Sequence, residues 1–172
     1  LANLLKFNGN KVVKEYYIND YGSQIRNFVK SVFLRIRELK YKEIFKPEKD
    51  LYPGDYIIEI SKKIIYSNKS LKFENLEESY NLLKDESLKH SMSLIKSDLK
   101  KLGIVHDHFF SETKLVEKKL VDKAVNYLKD KNYVIEGYLD PPKGEISKEW
   151  KQTKRLIFKS TLFGDDTDRA IK

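Results

Sequence analysis

The apolar positions of this chain follow two spacings, one typical of strands and one typical of helices. An apolar helix end at Leu1 to Phe7 is closed by Asn8-Gly9, because both residues tolerate the left-handed conformation in which helices end. The β-branched and aromatic run from Lys11 to Ile18 predicts a strand. From Ser23 to Leu39 the apolar residues recur every three or four positions, which predicts a helix. Helix, strand and helix in quick succession indicate an α/β layer with parallel strands.

The middle of the chain is less regular and mainly helical. Pro and Gly residues between Tyr41 and Ser70 predict a loop that leads into a short helix near Tyr56 to Tyr66. Two further helices are predicted at Asn75 to Leu83 and at Ser87 to Leu102, the second ending before a glycine. We interpret residues 41–102 as an insertion between two strands of the sheet.

The α/β pattern returns after the insertion. Ile104 to Phe110 has the composition of a strand, Ser111 is suited to cap a helix, and Lys114 to Asp130 has the pattern of one charged amphipathic helix. Segments 132–139 and 153–161 follow as short strands on either side of a Pro-rich loop. This arrangement predicts an antiparallel hairpin with a long tip.

Composition narrows the class of protein. The 172 residues are 40% hydrophobic and 35% charged, which suits a globular protein and argues against disorder. The chain has no Cys, so disulfides and thiolate chemistry are excluded. It carries neither a signal peptide nor an apolar run of transmembrane length, so we expect no membrane association and a cytoplasmic location. The helical register at Leu1, the lack of an initiator Met and the abrupt end at "DRAIK" suggest a piece of a longer protein.

The net charge of +8 would suit a polyanionic partner such as RNA. Of the 34 basic residues, however, 29 are Lys and five are Arg. A dedicated phosphate-binding surface usually carries more Arg, and evenly scattered Lys also arises from a bias in composition. Charge alone therefore leaves both an RNA-binding surface and an ordinary solvated surface open.

Two polar loops follow the predicted parallel strands. In an open α/β sheet, ligands bind beyond the carboxyl ends of the strands, where loops lead into helix N-termini. These positions are residues 19–24, with the sequence NDYGSQ, and Ser111-Glu112. Asp20 and Glu112 would place two carboxylates on one edge of the sheet, which suits a cationic substrate group. Helix capping is the alternative for both carboxylates, although it does not explain Gln24.

Two other clusters are weaker candidates for a functional site, in both cases a metal site. His106 and His108 share one strand face and would suit zinc, but the sequence offers no evident third ligand, so we interpret them as partly buried strand residues. The run from Phe163 to Arg169 contains three Asp and one Arg. It would bind Mg²⁺ or form a solvated turn with internal Asp-Arg pairing, and we favour the turn.

Four motifs taken together resemble bacterial arginyl-tRNA synthetase. In chain order and at compatible spacing they are LANLLKFNGNKVVKEYYINDYGSQI, LYPGDYI, LGIVHDHFFSE and LIFKSTLFGDDTDRAIK. The resemblance runs through essentially the whole chain. It implies a class I aminoacyl-tRNA synthetase, which activates L-arginine with ATP and passes it to the terminal adenosine of its tRNA. The implied fold is α/β, a partial Rossmann-type catalytic domain with a largely helical connective insertion, divided into residues 1–40, 41–102 and 103–172.

The resemblance also implies that parts of the family's machinery lie outside the chain. Leu1 would fall just after the helix with the His-Gly-His type ATP motif, and the Tyr and Asp that recognise arginine would follow Lys172. The Lys-Met-Ser-Lys type loop and the two tRNA-binding domains would also be missing. We therefore expect the chain alone to be catalytically inert. The parent is expected to be monomeric, to take up Mg²⁺ with ATP, and to bind arginine tRNA.

Six residues match the family's substrate-binding motifs. They are Asn19, Asp20, Gly22, Gln24, Ser111 and Glu112. The first four match its Asn-Asp-x-Gly-x-Gln motif, which borders the amino-acid and adenylate pocket, and the last two match its Ser-Glu or Glu-Ser element. Tyr21 departs from the pattern, because related sequences often have a small residue there. Glu112 is implied to contact the guanidinium or the amino group of arginine.

Two other functions stay open on the sequence alone. One is another class I synthetase, such as that for cysteine or glutamate, or a related nucleotidyltransferase. The other is a stand-alone basic RNA-binding α/β module that uses its Lys-rich helices. Arginine-dependent exchange of pyrophosphate into ATP would favour the arginine enzyme, whereas strongly salt-dependent RNA binding without such exchange would favour the module.

Overall fold

The structure is a computed structural model that describes residues 1–46, 48–139 and 152–171. It has mixed α/β architecture and divides into two compact units, Leu1–Lys114 and Leu115–Lys172. Within the described ranges, no helix is both long enough and apolar enough to cross a membrane.

The first unit opens with helix α1 (Ala2–Phe7) and strand β1 (Glu15–Ile18). Gly9 follows α1 with a φ angle of 79°, in the left-handed region that favours glycine. The predicted helix end at Asn8-Gly9 is therefore confirmed. The predicted strand is also present, but it begins at Glu15 rather than at Lys11.

Three helices form the core of the first unit. They are α2 (Ser23–Tyr41), α3 (Asp55–Ser67) and α4 (Leu76–Lys101). In α2 and α3 the buried residues recur at intervals of three and four, so each helix presents one apolar stripe. The predictions for these two helices are confirmed. The helices meet in a cluster whose buried members are Ile25, Phe28, Val29, Val32, Ile36, Ile57, Ile60, Ile64, Phe73 and Leu83.

Helix α4 is one continuous helix of 26 residues, so the prediction of two helices with a gap between Leu83 and Ser87 is wrong. The intervening residues are Lys, Asp and Glu, which are compatible with a helix, and α4 contains neither Pro nor Gly. Leu83 and Ser87 lie one turn apart and are both fully buried. The inner face of the helix therefore continues through the charged stretch.

Strand β2 (His108–Ser111) pairs with β1 in parallel, with Ile18 opposite Ser111. The predicted parallel arrangement is confirmed. The strand predicted from Ile104 to Phe110 is too long at its start and one residue short at its end.

Asp107 explains why the ladder begins where it does. Its Oδ2 atom accepts a hydrogen bond of 2.7 Å from the backbone N–H of Lys14. The Asp107 N–H in turn donates to the carbonyl oxygen of Lys14 at 2.7 Å. A side-chain oxygen thus replaces a ladder carbonyl, and strand pairing starts only after this position.

The chain continues from β2 into α5 (Glu112–Glu117) and α6 (Leu120–Asp130). The prediction of one long charged helix ending at Asp130 is wrong. Lys119, between the two helices, has the left-handed angles φ 52° and ψ 31°, which interrupt a right-handed helix. The sequence carries a signal for this break. The apolar pair Leu115-Val116 recurs five residues later as Leu120-Val121, whereas one helix face repeats every three or four residues.

Three antiparallel strands form the sheet of the second unit. Strand β3 (Val134–Gly137) pairs with β4 (Arg155–Phe158), which confirms the predicted hairpin. Strand β4 also pairs with β5 (Arg169–Ile171), a three-residue strand that the sequence pattern does not indicate. The Pro-rich loop predicted between β3 and β4 falls largely on residues 140–151, which lie outside the part of the chain that the structure describes.

The acidic run before β5 forms a turn with internal pairing, as predicted. The Arg169 guanidinium donates to both carboxylate oxygens of Asp165, at 2.7 and 2.6 Å, and to Asp166 at 3.1 Å. The hydrogen bonds from Arg169 hold the pKa of Asp165 well below its usual range. Asp168 accepts hydrogen bonds from both the N–H and the hydroxyl of Thr161, at 3.1 and 2.7 Å. The Asp residues of this run therefore serve the fold of the turn.

Candidate functional site

Parallel pairing brings the two polar loops together. Strands β1 and β2 end side by side at Ile18 and Ser111. Helix α2 follows β1 after a short loop, and α5 follows β2 directly at Glu112. The loop 19–24 and the segment 111–113 therefore share the carboxyl edge of the strand pair, where α/β proteins bind ligands.

One carboxylate joins the two loops. Asp20 Oδ2 accepts a hydrogen bond of 2.6 Å from the Ser111 hydroxyl, and Oδ1 accepts one of 2.8 Å from the Thr113 N–H. The Asp20 carbonyl oxygen accepts a third, of 2.9 Å, from the Thr113 hydroxyl. We call these three hydrogen bonds the Asp20 bracket. They hold the residues on either side of Glu112.

The bracket corrects the capping alternative for Asp20. The N-cap of α2 is Gly22, and no side chain caps that helix. Asp20 instead satisfies an N–H in the first turn of α5, across the strand pair. The predicted capping role of Ser111 is confirmed, because its Oγ accepts a hydrogen bond of 3.3 Å from the Lys114 N–H.

Gly22 has a backbone conformation that only glycine adopts readily. Its angles are φ 86° and ψ −170°, a region that excludes side chains with a Cβ atom. A Cβ placed there would meet no atom within 4 Å. The backbone conformation, rather than lack of space, therefore requires glycine at the start of α2.

The amide side chains of the loop contact each other. Asn19 Nδ2 donates a hydrogen bond of 3.0 Å to Gln24 Oε1, and both side chains are exposed. This pair closes the loop over the first turn of α2. Asn19 Oδ1 and the Gln24 NH₂ group are not used in this hydrogen bond, and by their chemistry they can form others.

Glu112 is the first residue of α5 and is half-buried. Tyr17, on the neighbouring strand, lies beside it. Desolvation, the negative charge and hydrogen bonding of Glu112, and the charge of Asp20 raise the pKa of Tyr17. The Tyr17 hydroxyl thus lies near the carboxylates of Glu112 and Asp20. Glu112 is therefore the carboxylate placed to bind a cation, with the Tyr17 hydroxyl beside it.

Tyr17 and Thr113 are site residues that the sequence motifs did not identify. The register of the strands offers a signal for Thr113. Because Ile18 lies opposite Ser111, extending the pairing by two residues sets position 20 opposite position 113. Tyr17 reads in the sequence as an ordinary aromatic strand residue, and only its neighbours in space reveal its place at the site.

His106 of the HDH run contributes to packing rather than to this site. His106 is half-buried and contacts the rings of Tyr16 and Phe109, with centroids 5.4 and 5.9 Å apart. His108 is exposed on β2, so the interpretation of both as partly buried holds only for His106. In the part of the chain that the structure describes, no group of three His, Cys, Asp or Glu side chains is placed to hold a metal ion.

The Asp20 carboxyl gives the bracket a dependence on pH. Burial raises its pKa, but the hydrogen bonds from Ser111 and Thr113 outweigh burial and keep the pKa below the ordinary 3.8. A carboxyl whose pKa falls on folding stabilises the native state above its unfolded pKa, and this stabilisation disappears as the pH falls through the folded pKa. We expect an NMR titration of the Asp20 carboxyl carbon to have its midpoint below 3.8. An Asp20→Asn variant assigns the signal, and a midpoint at or above the ordinary value would contradict the bracket.

Comparison with known proteins identifies the family. No protein-family model matches the chain. The chain is 51% identical over 173 residues to the arginine–tRNA ligase of Pelagibacter ubique (strain HTCC1062), and 44% identical over 173 residues to that of Wolbachia pipientis wMel. Each alignment covers the whole of this chain and 30% of the relative, so the chain spans less than a third of the length of these curated relatives.

A solved structure leads to the same family. A protein from Campylobacter jejuni, provisionally assigned as an arginyl-tRNA synthetase, matches 98% of this chain and 33% of its own, with a TM-score of 0.74 and 26% identity. Sequence and structure thus agree along the whole chain. By homology over its full length, the chain belongs to the arginine–tRNA ligase family.

Proposed function

We propose that this chain forms part of the catalytic region of an arginine–tRNA ligase, which activates L-arginine with ATP and transfers it to its tRNA. One observation carries the proposal. Relatives that are 40 to 51% identical over the whole chain are named arginine–tRNA ligases. The first unit would supply strands of a Rossmann-type sheet, with residues 41–102 as a connective insertion whose helices α3 and α4 pack against α2.

The site is suited to this chemistry. Activation of an amino acid joins its carboxylate to the α-phosphate of ATP and releases pyrophosphate, a reaction that needs positioning and charge stabilisation more than a protein nucleophile. A guanidinium or ammonium group needs carboxylate or amide partners. At the carboxyl edge of β1 and β2, the Glu112 carboxylate and the Asn19–Gln24 amide pair can serve as such partners.

In this proposal six residues border the arginine and adenylate pocket. They are Asn19, Asp20, Gly22, Gln24, Ser111 and Glu112. Glu112 binds the guanidinium or the α-amino group of arginine, because it is half-buried at the strand edge. ATP would bring Mg²⁺ with it, because Mg²⁺ keeps several waters and binds mainly through substrate phosphates.

The experiment that tests the function is amino-acid-dependent exchange of pyrophosphate into ATP. It uses the complete gene product that contains this chain, in the presence of unfractionated tRNA. We expect exchange with arginine and none above background with cysteine or glutamate. Exchange with one of those amino acids would support another class I synthetase. RNA binding that weakens steeply with salt, without any exchange, would support the RNA-binding module instead.

A further inference from the structure

We propose that Asp20 is a positioning residue, which orients Glu112 through Ser111 and Thr113 and does not itself bind the substrate. This inference rests on the proposed function, because it concerns how the same site holds its cationic substrate. It assigns different roles to Asp20 and Glu112, although both carboxylates lie on the same edge of the strand pair.

The first step is the occupancy of the Asp20 carboxylate. Both of its oxygens already accept hydrogen bonds from the protein, at 2.6 Å from Ser111 Oγ and at 2.8 Å from Thr113 N. A bidentate contact to a guanidinium needs two carboxylate oxygens that face the ligand together. Asp20 directs one oxygen to Thr113 in α5 and the other to Ser111, the residue that caps α5. It is therefore poorly placed for such a contact.

The second step is the place of Glu112 between the bracketed residues. Ser111 precedes it, Thr113 follows it, and both are bound to the same aspartate. Fixing the residues on both sides fixes the direction in which the Cα–Cβ bond of Glu112 leaves the backbone. A displacement of about 1 Å at a binding group costs about 100-fold in rate, so such a bracket has a large effect on catalysis.

The third step is that charge is not needed for the bracket. In an Asp20→Asn variant the amide oxygen still accepts the hydrogen bond from the Thr113 N–H. The amide NH₂ donates to the Ser111 hydroxyl, which can rotate to accept it. Asn therefore preserves the bracket, whereas Ala removes both side-chain hydrogen bonds. A residue that bound the substrate cation directly would lose its function in either variant.

The experiment compares these variants in the complete gene product, using exchange of pyrophosphate into ATP as a function of arginine concentration. We expect Asp20→Ala to lower kcat/KM for arginine about 100-fold and Asp20→Asn to lower it by about fivefold, the value of one weakened hydrogen bond. The KM for ATP should stay unchanged in both. Asp98→Asn, at an exposed position of α4, controls for the loss of one negative charge.

Thr113 provides a second test that leaves the carboxylate intact. Thr113→Val removes the hydroxyl that donates to the Asp20 carbonyl while it preserves the shape of the side chain. We expect it to raise the KM for arginine, and we expect Thr113→Ser to restore most of the loss. An Asp20→Asn variant as damaged as Asp20→Ala, or an Asp20→Ala variant with normal kinetics, would overturn the positioning role.

A measurement without catalysis separates this inference from the proposed function. Amide hydrogen exchange over residues 111–114 should accelerate in Asp20→Ala and change little in Asp20→Asn. Unchanged exchange in Asp20→Ala would refute the bracket, whatever the activity. A wild-type protein with no arginine-dependent exchange would refute the proposed function, while the amide exchange still decides the role of Asp20.

Discussion

Glu112→Gln is expected to lower kcat/KM for arginine by about a thousandfold in the complete gene product, measured as arginine-dependent exchange of pyrophosphate into ATP. Glutamine preserves the size and one oxygen of the side chain but removes its charge. The substrate cation would then lose a desolvated ionic partner, a change that costs about 4 kcal/mol in a buried pair. Because Glu112 is half-buried, water compensates only partly for the missing charge.

The matched control is Glu117→Gln, at the exposed end of the same helix. The chemical change is identical, and we expect kcat/KM to stay within about twofold of wild type, because exposed charges contribute little. A normal KM for arginine in Glu112→Gln would show that Glu112 does not bind arginine. A variant whose unfolding temperature falls together with its activity would require the Asp20 bracket to be examined by amide exchange before any conclusion about binding.

Competition between citrulline and arginine can determine which end of arginine Glu112 contacts. Its side chain ends in a neutral urea of nearly the same shape as the guanidinium, and its α-amino group is unchanged. If Glu112 contacts the guanidinium, Glu112→Gln narrows the preference for arginine over citrulline. If Glu112 contacts the α-amino group, the variant weakens the binding of arginine and of citrulline equally, and the preference for arginine stays constant. Competition by citrulline against labelled arginine measures the difference.

Local signals account for the parts of the structure that the sequence predicts correctly. The apolar stripe of α2, with Ile25, Val32 and Ile36 among its buried residues, needs only a helical period and a partner surface. The parallel pairing of β1 and β2 follows from strands that alternate with helices. Once this pairing is known, the two polar loops must share one edge. The location of the candidate site was therefore predictable from sequence.

Contacts between distant residues account for most of what the sequence does not reveal. Ser111 and Thr113 lie more than 90 positions from Asp20 in the chain, so the local pattern around Asp20 favours capping of its own helix. Leu83, on the inner face of α4, likewise packs in a cluster with residues of α2 and α3 that are distant in the chain. The break at Lys119 is different, because a five-residue interval between apolar pairs marks it in the sequence.

The cluster formed by α2, α3 and α4 should be the main source of stability in the first unit. Ile60 in α3 is fully buried within that cluster. Ile60→Ala removes its outer carbon atoms and leaves a cavity that the three packed helices cannot fully close. We expect a loss of about 3 kcal/mol in local stability. Amide hydrogen exchange of peptides from α2, α3 and α4 should accelerate by roughly 150-fold where opening of the cluster limits exchange.

Ile44→Ala is the matched control for Ile60→Ala, because it makes the same chemical change at a side chain that is 83% exposed. We expect exchange in α2, α3 and α4 to stay at its wild-type rate in this variant, since removing exposed side-chain carbon atoms creates no cavity. Equal acceleration by both substitutions would mean that the three helices are not stabilised by their shared core. Because the site loop 19–24 runs into the first turn of α2, which begins at Ser23, loosening the cluster should also reduce arginine binding. Ile60→Ala should therefore raise the KM for arginine, whereas Ile44→Ala should leave it unchanged.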